Sequence, residues 1–181
     1  MFNSRLFKAV RQRMRDAGTL KQLCFRAESL ANAEGQREPG AEHFVLAALE
    51  LPDATAHRAF AAIGITPARF HAAIASQYRS ALAHVGIHAG DFEDDGPPLP
   101  TSRGPYRSQP SAQALMAALT RDVMKAAQAQ DPTTPLLGAH VLLAAGAAKR
   151  GVCARAFAAL GITFESLFTA ATLELGRQGT R

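Results

Sequence analysis

Residues 41–70, AEHFVLAALELPDATAHRAFAAIGITPARF, align without a gap on residues 138–167, GAHVLLAAGAAKRGVCARAFAALGITFESL, at a constant separation of 97 residues (140 minus 43, from His43 to His140). Leu46 meets Leu143, Ala47-Ala48 meet Ala144-Ala145, and Arg58-Ala59-Phe60-Ala61-Ala62 meet Arg155-Ala156-Phe157-Ala158-Ala159. Gly64-Ile65-Thr66 then meet Gly161-Ile162-Thr163. Shared alanine content does not explain the match, because Gly, His, Arg, Phe and Thr fall in register as well. Duplication is the simplest cause, and a repeat decides the architecture before any single residue does.

Each copy reads as helix, cap, helix. Phe44, Val45, Ala48 and Leu49, and in the second copy Val141, Leu142 and Ala145, recur at helical spacing and define a buried face. Pro52 stops the first of these helices, after which Ala56, Phe60 and Ile63, and later Cys153, Phe157 and Leu160, form a second short apolar stripe. Gly64 and Gly161 stand where a left-handed cap is wanted. Thr66 and Thr163 follow as N-caps, with Pro67 at the first helical position and Glu165 in the first turn of the other copy. A further helix is expected upstream of each copy, over 19–33 and 111–130, closed by Gly35 and by Asp131-Pro132.

Each repeat thus holds about four helices. Such a unit buries its own apolar face poorly, so two copies packed with pseudo-twofold symmetry are expected. The predicted class is all-α. Composition agrees: 48% of residues are hydrophobic, much of this Ala, with 7% aromatics and no Trp, which favours close-packed helices over sheets. The expected organisation is a basic amphipathic helix over 1–18, a first repeat over 19–83, a linker over 84–110, and a second repeat over 111–176, with 19–176 forming one domain. The linker carries the acidic run Asp91, Glu93, Asp94 and Asp95 followed by Pro, Gly and Ser, and reads as solvated.

The net charge of +5 and pI near 9.8 permit attraction to acidic partners without choosing among them. Part of the excess sits in Arg5, Lys8, Arg11, Arg13, Arg15 and Lys21, and no basic stretch elsewhere is interleaved with aromatics, so nucleic acid is not an expected partner. No apolar run is long enough to cross a bilayer, and residues 1–21 lack the layout of a signal peptide. Cys24 and Cys153 share no metal or redox spacing and read as reduced core thiols, which places the chain in the cytoplasm.

The pattern Glu-His-apolar-Leu-x-Ala-Leu, a short loop, then Ala-Phe-x-Ala-[Ile/Leu]-Gly-Ile, present as 42–49 with 59–65 and again as 139–146 with 156–162, resembles the repeat of Clp ATPase N-terminal domains. The resemblance covers about residues 19–75 and 111–175. It implies a module that recruits protein clients and adaptors to a Clp-type ATPase or protease for unfolding and degradation. The ATPase rings have no counterpart here: no G-x-x-x-x-G-K-[ST] loop exists to cradle phosphates, so the chain is read as a stand-alone, non-catalytic binding module with no cofactor and no metal. An apolar groove between its repeats is the expected working surface, and a homodimer is compatible with this reading. Some members of that family bind phosphorylated arginine through the acidic residue of the Glu-His pair and a Thr at the start of the first helix. The resemblance carries these roles to Glu42 and, loosely, Thr19, whereas Ala139 replaces the acid in the second copy. A carboxylate would grip guanidinium in bidentate fashion; the plainer alternative is that Glu42 complements its helix N-terminus.

His43 and His140 are expected to be buried, hydrogen-bonded residues that hold the preceding loop. His84 and His88, with Asp91 nearby, have the spacing of a metal pair but lack a preorganised third ligand. Phe2, Leu6, Phe7, Val10 and Met14 make the first segment amphipathic, and this face is expected to dock back on its own domain, with a partner or anionic lipid as the alternatives. A second functional reading follows from that segment, namely a regulatory protein whose basic helix contacts nucleic acid or membrane.

Overall fold

The structure, a computed structural model, describes residues 2–87 and 106–179, and all regular structure among them is helical. The first half comprises α1 (Phe2–Ala33), α2 (Ala41–Leu49), α3 (Thr55–Ala62) and α4 (Pro67–His84). The second comprises α5 (Pro110–Ala118), a π-helical stretch (Leu119–Met124), α6 (Lys125–Gln130), α7 (Gly138–Gly146), α8 (Val152–Ala159) and α9 (Phe164–Gly179).

Local chemistry sets the helix ends. Gly64 and Gly161 both adopt φ +71°. Beyond them the Ile65 N–H reaches back to the Phe60 carbonyl at 3.0 Å and the Ile162 N–H to the Phe157 carbonyl at 2.9 Å, which closes the last turn of each helix. The Thr66 hydroxyl accepts the Arg69 N–H at 3.2 Å and the Thr163 hydroxyl accepts the Ser166 N–H at 3.1 Å, so both threonines cap the helices that follow.

Every residue of α2 is buried, as are Gly138 to Leu142, Ala144 and Ala145 of α7. A helix apolar on all sides belongs in the centre of a core. α2 and α7 pack on each other there, with α1 along α2 and the π stretch and α9 along α7. Two further pairs cross between halves: α3 lies on α9, and α4 on α8. Phe60, Phe70 and Phe157 meet at this crossing, Phe60 edge-on to both others at 5.5 and 6.4 Å between centroids and Phe70 stacked on Phe157 at 5.1 Å.

The start of α7 is closed by the opposite half. The Gly138 N–H lies 3.3 and 3.2 Å from the two Asp53 carboxylate oxygens, and the Ala139 N–H donates to the Thr55 hydroxyl at 2.8 Å. Between those two acceptors Ala54 takes φ +54°, a left-handed conformation that costs a non-glycine residue about 1–2 kcal/mol. Asp53 Oδ1 holds it there by also accepting the Thr55 N–H at 2.9 Å and the Thr55 hydroxyl at 2.5 Å. A Cβ at position 138 would stand 2.8 Å from the Ala48 carbonyl oxygen and 3.0 Å from the Ala56 Cβ, so this close approach demands glycine.

Three expectations change. The boundary at 18/19 falls inside one uninterrupted helix, because Gly18 meets no structural need to break it and α1 continues along the body on both sides of that point. The helix expected over 111–130 is present but carries the π stretch, which brings both Leu119 and Met124 inward although they are five residues apart. The C-terminal end of the expected linker is tied down: Gln109 donates from Nε2 to the Glu38 carbonyl at 2.9 Å and from its backbone to the Pro39 carbonyl at 3.0 Å. His88 and the acidic run from Asp91 to Asp95 lie outside the described residues.

Gly138→Ala is expected to lower unfolding free energy by about 1–3 kcal/mol, as overpacking does. Gly18→Ala, in an open helical position, is expected to raise it by about 0.5–1 kcal/mol. Urea denaturation of the two variants measures both signs.

Candidate functional site

Two regions hold the side chains from which a function can be argued: a buried polar network at the start of α2, and an apolar groove on the second half.

The network begins with a local constraint. The Gly40 N–H donates to His43 Nδ1 at 2.9 Å while the His43 N–H donates back to the Gly40 carbonyl at 3.1 Å, a reciprocal cap. Because Nδ1 accepts, the ring proton sits on Nε2, facing Glu34 Oε2 at 3.2 Å. Glu34 also meets His71 Nε2 at 2.9 Å, and the bond from His43 holds its carboxyl below the usual carboxylate range. His140 repeats the device, its Nδ1 accepting the Leu137 N–H at 3.1 Å. Both histidines are fully buried and serve as loop anchors.

Glu42 is 1% exposed. Its Oε1 accepts the Tyr78 hydroxyl at 2.5 Å, while Oε2 has no hydrogen-bond partner. Burial, and after it the hydrogen bond to Glu42, pushes the Tyr78 hydroxyl far above its ordinary range, so it remains a donor. Gln36 Oε1 stands 3.2 Å from the same hydroxyl and accepts from Gln109 Nε2 at 3.1 Å. A Cβ on residue 40 would overlap the Glu42 carboxylate, which shows how tightly this side chain folds back over its own helix start. A negative charge there complements the N-terminal dipole.

Thr19 stands apart from this arrangement. Its hydroxyl donates to the Arg15 carbonyl at 3.3 Å within α1, fourteen residues or about 20 Å of helix before Ala33. Glu42 instead joins Gln36 just beyond the other end of that helix, through Tyr78. The pair carried over by resemblance is therefore not assembled as a guanidinium clamp. Tyr78, Gln36 and Gln109 were not legible as site residues, since nothing periodic marks them; the glycine two places before Glu42 was the available signal.

Cys153 is buried, and its thiol is pushed far up by desolvation and then by the Glu42 charge, so it carries no thiolate for chemistry. Both cysteines are free. Among the described residues no group of three His, Cys, Asp or Glu side chains is placed to hold a metal.

The groove, of about 710 Å³, runs between α6, the 131–137 loop, the start of α7 and α9. Val123, Ala127, Leu137, Leu143, Phe168 and Leu175 give it an apolar lining, and Thr133, Thr134 and Thr172 supply polar points. It lies within the second half, while smaller apolar clefts sit between the halves, one of about 230 Å³ where Ala17 and Leu20 face Leu119 and Leu136, and one of about 240 Å³ where Ala41 faces Leu115 and Ala144. Phe168 is 47% exposed and touches Phe164 at 5.6 Å between centroids, an aromatic edge open to solvent. His140 forms part of the wall, and burial pushes it down to about 4.

Tyr78→Phe strands the buried Glu42 carboxylate, and a loss of about 1–3 kcal/mol is expected in denaturant titrations. The folded pKa of His140 lies below its unfolded value near 6.5, so between about pH 4 and 6.5 the unfolded chain binds more protons and stability rises with pH. Acidifying from pH 7 through that window is expected to cost on the order of 3 kcal/mol from this residue, and His140→Gln should flatten that part of the profile of unfolding free energy against pH. No protein-family model matches this chain, and no curated protein matches it.

Proposed function

We infer that the chain is a non-catalytic protein-binding module of the Clp N-terminal-domain type, two four-helix repeats joined with pseudo-twofold symmetry, which delivers or regulates protein clients for a Clp-type ATPase or protease. The observation that carries this reading is the paired order of helices. α2, α3 and α4 begin at Ala41, Thr55 and Pro67, and α7, α8 and α9 begin at Gly138, Val152 and Phe164, each 97 residues later (138 minus 41). Exchange of the copies turns the packing of α3 on α9 into that of α8 on α4, and both contacts are present.

Polar contacts support the same exchange. Arg58 of α3 donates from Nε to Glu174 of α9 at 2.6 Å, and its counterpart Arg155 of α8 donates from Nε to Gln77 of α4 at 3.2 Å, Gln77 being the counterpart of Glu174. His43 and His140 cap corresponding helices.

The groove gives this module its working surface. An apolar trough with a few polar points suits an amphipathic helix or an extended hydrophobic peptide, the segments that unfolded clients expose. Phe168 is the anchor, because exposed aromatics at the edge of a concavity dominate such contacts.

Fluorescence anisotropy with a labelled, permanently unfolded model protein tests the reading. Binding is expected, weakened at least about tenfold by Phe168→Asp, the loss of one aromatic anchor. Addition of the chain to a Clp-type unfolding assay is expected to change the rate for that client. The reading fails if wild-type chain leaves the anisotropy unchanged, or if Phe168→Asp binds equally well.

A further inference from the structure

We propose that the outward face of α1 is a docking surface for anionic lipid bilayers. The inference is independent of the groove and of the reading above.

α1 presents two parallel ridges to solvent. Phe7, Val10 and Met14 follow i, i+3, i+7 and are 71%, 49% and 73% exposed. Lys8, Arg11 and Arg15 repeat that spacing one residue later and so lie about 100° round the same helix. All three are exposed, and none enters an ion pair among the described residues. The apolar ridge continues to Phe25, eighteen residues or five full turns beyond Phe7 and 62% exposed, with the Lys21 ammonium 5.6 Å from its ring centroid.

The body of the protein occupies the opposite side. Gln12 is buried, and Asp16, half a turn round from Phe7, accepts the Leu136 N–H at 2.8 Å and Gln128 Nε2 at 3.2 Å. Over residues 7–15 the two ridges therefore point away from the described residues that Asp16 touches, so Phe7, Val10 and Met14 do not dock back on the described body as the sequence led one to expect.

Charge identifies the occupant. Five Lys or Arg residues precede Asp16, the first acidic residue. A second copy docked on this face would place Lys8, Arg11 and Arg15 of both copies together, a like-charge contact that a self-complementary interface cannot avoid. Nucleic acid would neutralise the cations and leave Phe7, Val10 and Met14 in water. An anionic bilayer takes both ridges at once, acyl chains receiving the apolar one and headgroups the basic one. No single helix among the described residues is long and apolar enough to cross a membrane, so α1 would lie in the interface.

Co-sedimentation of the full chain with vesicles of equal parts phosphatidylcholine and phosphatidylglycerol, against phosphatidylcholine alone, tests the proposal. Binding to the anionic vesicles is expected, falling steeply with salt. Replacing Lys8, Arg11 and Arg15 together by Ala should weaken it about a hundredfold. Because the chain has no Trp, Phe7→Trp provides a single reporter on a surface position, and a blue-shifted emission on anionic vesicles is expected. Equal binding to both vesicle types, an unshifted Phe7→Trp emission, or dimerisation in solution that Phe7→Ser abolishes would each overturn the proposal. So would tight binding of duplex DNA that the triple Ala variant loses and Phe7→Ser retains.

Discussion

Among the described residues α2 and α7 begin in the interior, and the first backbone N–H groups of a helix have no partner within it. Water cannot supply one at a buried start, so side chains must. For α7 they come from the other half of the chain, Asp53 and Thr55, with Ala54 driven into a left-handed conformation to present them together. For α2 they come from His43, whose ring turns back on Gly40, and from Ser111, whose hydroxyl accepts the Ala41 N–H at 3.3 Å. Glu42 adds a negative charge at the same buried start. Most of the unusual features of the fold trace to this need: glycine at 40 and 138, two buried histidines, a buried carboxylate and its tyrosine.

The cross-packing of α3 on α9 and of α4 on α8 completes what the caps begin. Three phenylalanines drawn from both halves share one cluster, and Arg58 bridges to a nearly buried Glu174 from the far end of the chain. Neither half has a finished core alone. The surfaces left over then differ in character: the second half opens an apolar groove beside α9, while α1 carries exposed apolar and basic ridges on the side opposite Gln12 and Asp16.

Features fixed by neighbouring residues were readable from the sequence. Gly64, Gly161, Thr66, Thr163 and Pro67 act within one turn of where they stand, so their residue types announced helix ends correctly. The histidines were readable as anchors because the repeat placed both at the same point of a helix. The continuity of α1 was not, since Gly18 and the thinning of basic charge after Lys21 imitate a boundary, whereas packing of the helix along the body decides the matter. The π stretch has no residue signature; it appears because Leu119 and Met124 must both face inward. The candidate site was legible only in part. Glu42 was singled out as an acid able to grip a guanidinium, yet its environment is set by Tyr78, Gln36 and Gln109, which lie 36, 6 and 67 residues away (78 minus 42, 42 minus 36, 109 minus 42) and converge through tertiary structure alone.

The clasp from Asp53 to Gly138 spans 85 residues, and the bridge from Arg58 to Glu174 spans 116. Contacts this remote close large loops before they reward the chain, which slows folding relative to helical proteins held by local contacts. On the ribosome the consequence is a delay: Phe60 and Phe70 emerge well before Phe157, and at ordinary elongation rates they wait roughly 5–20 s for it. Throughout that interval the nascent first half displays an unfinished aromatic core, so newly made chains of this protein themselves present the kind of surface that chaperones recognise.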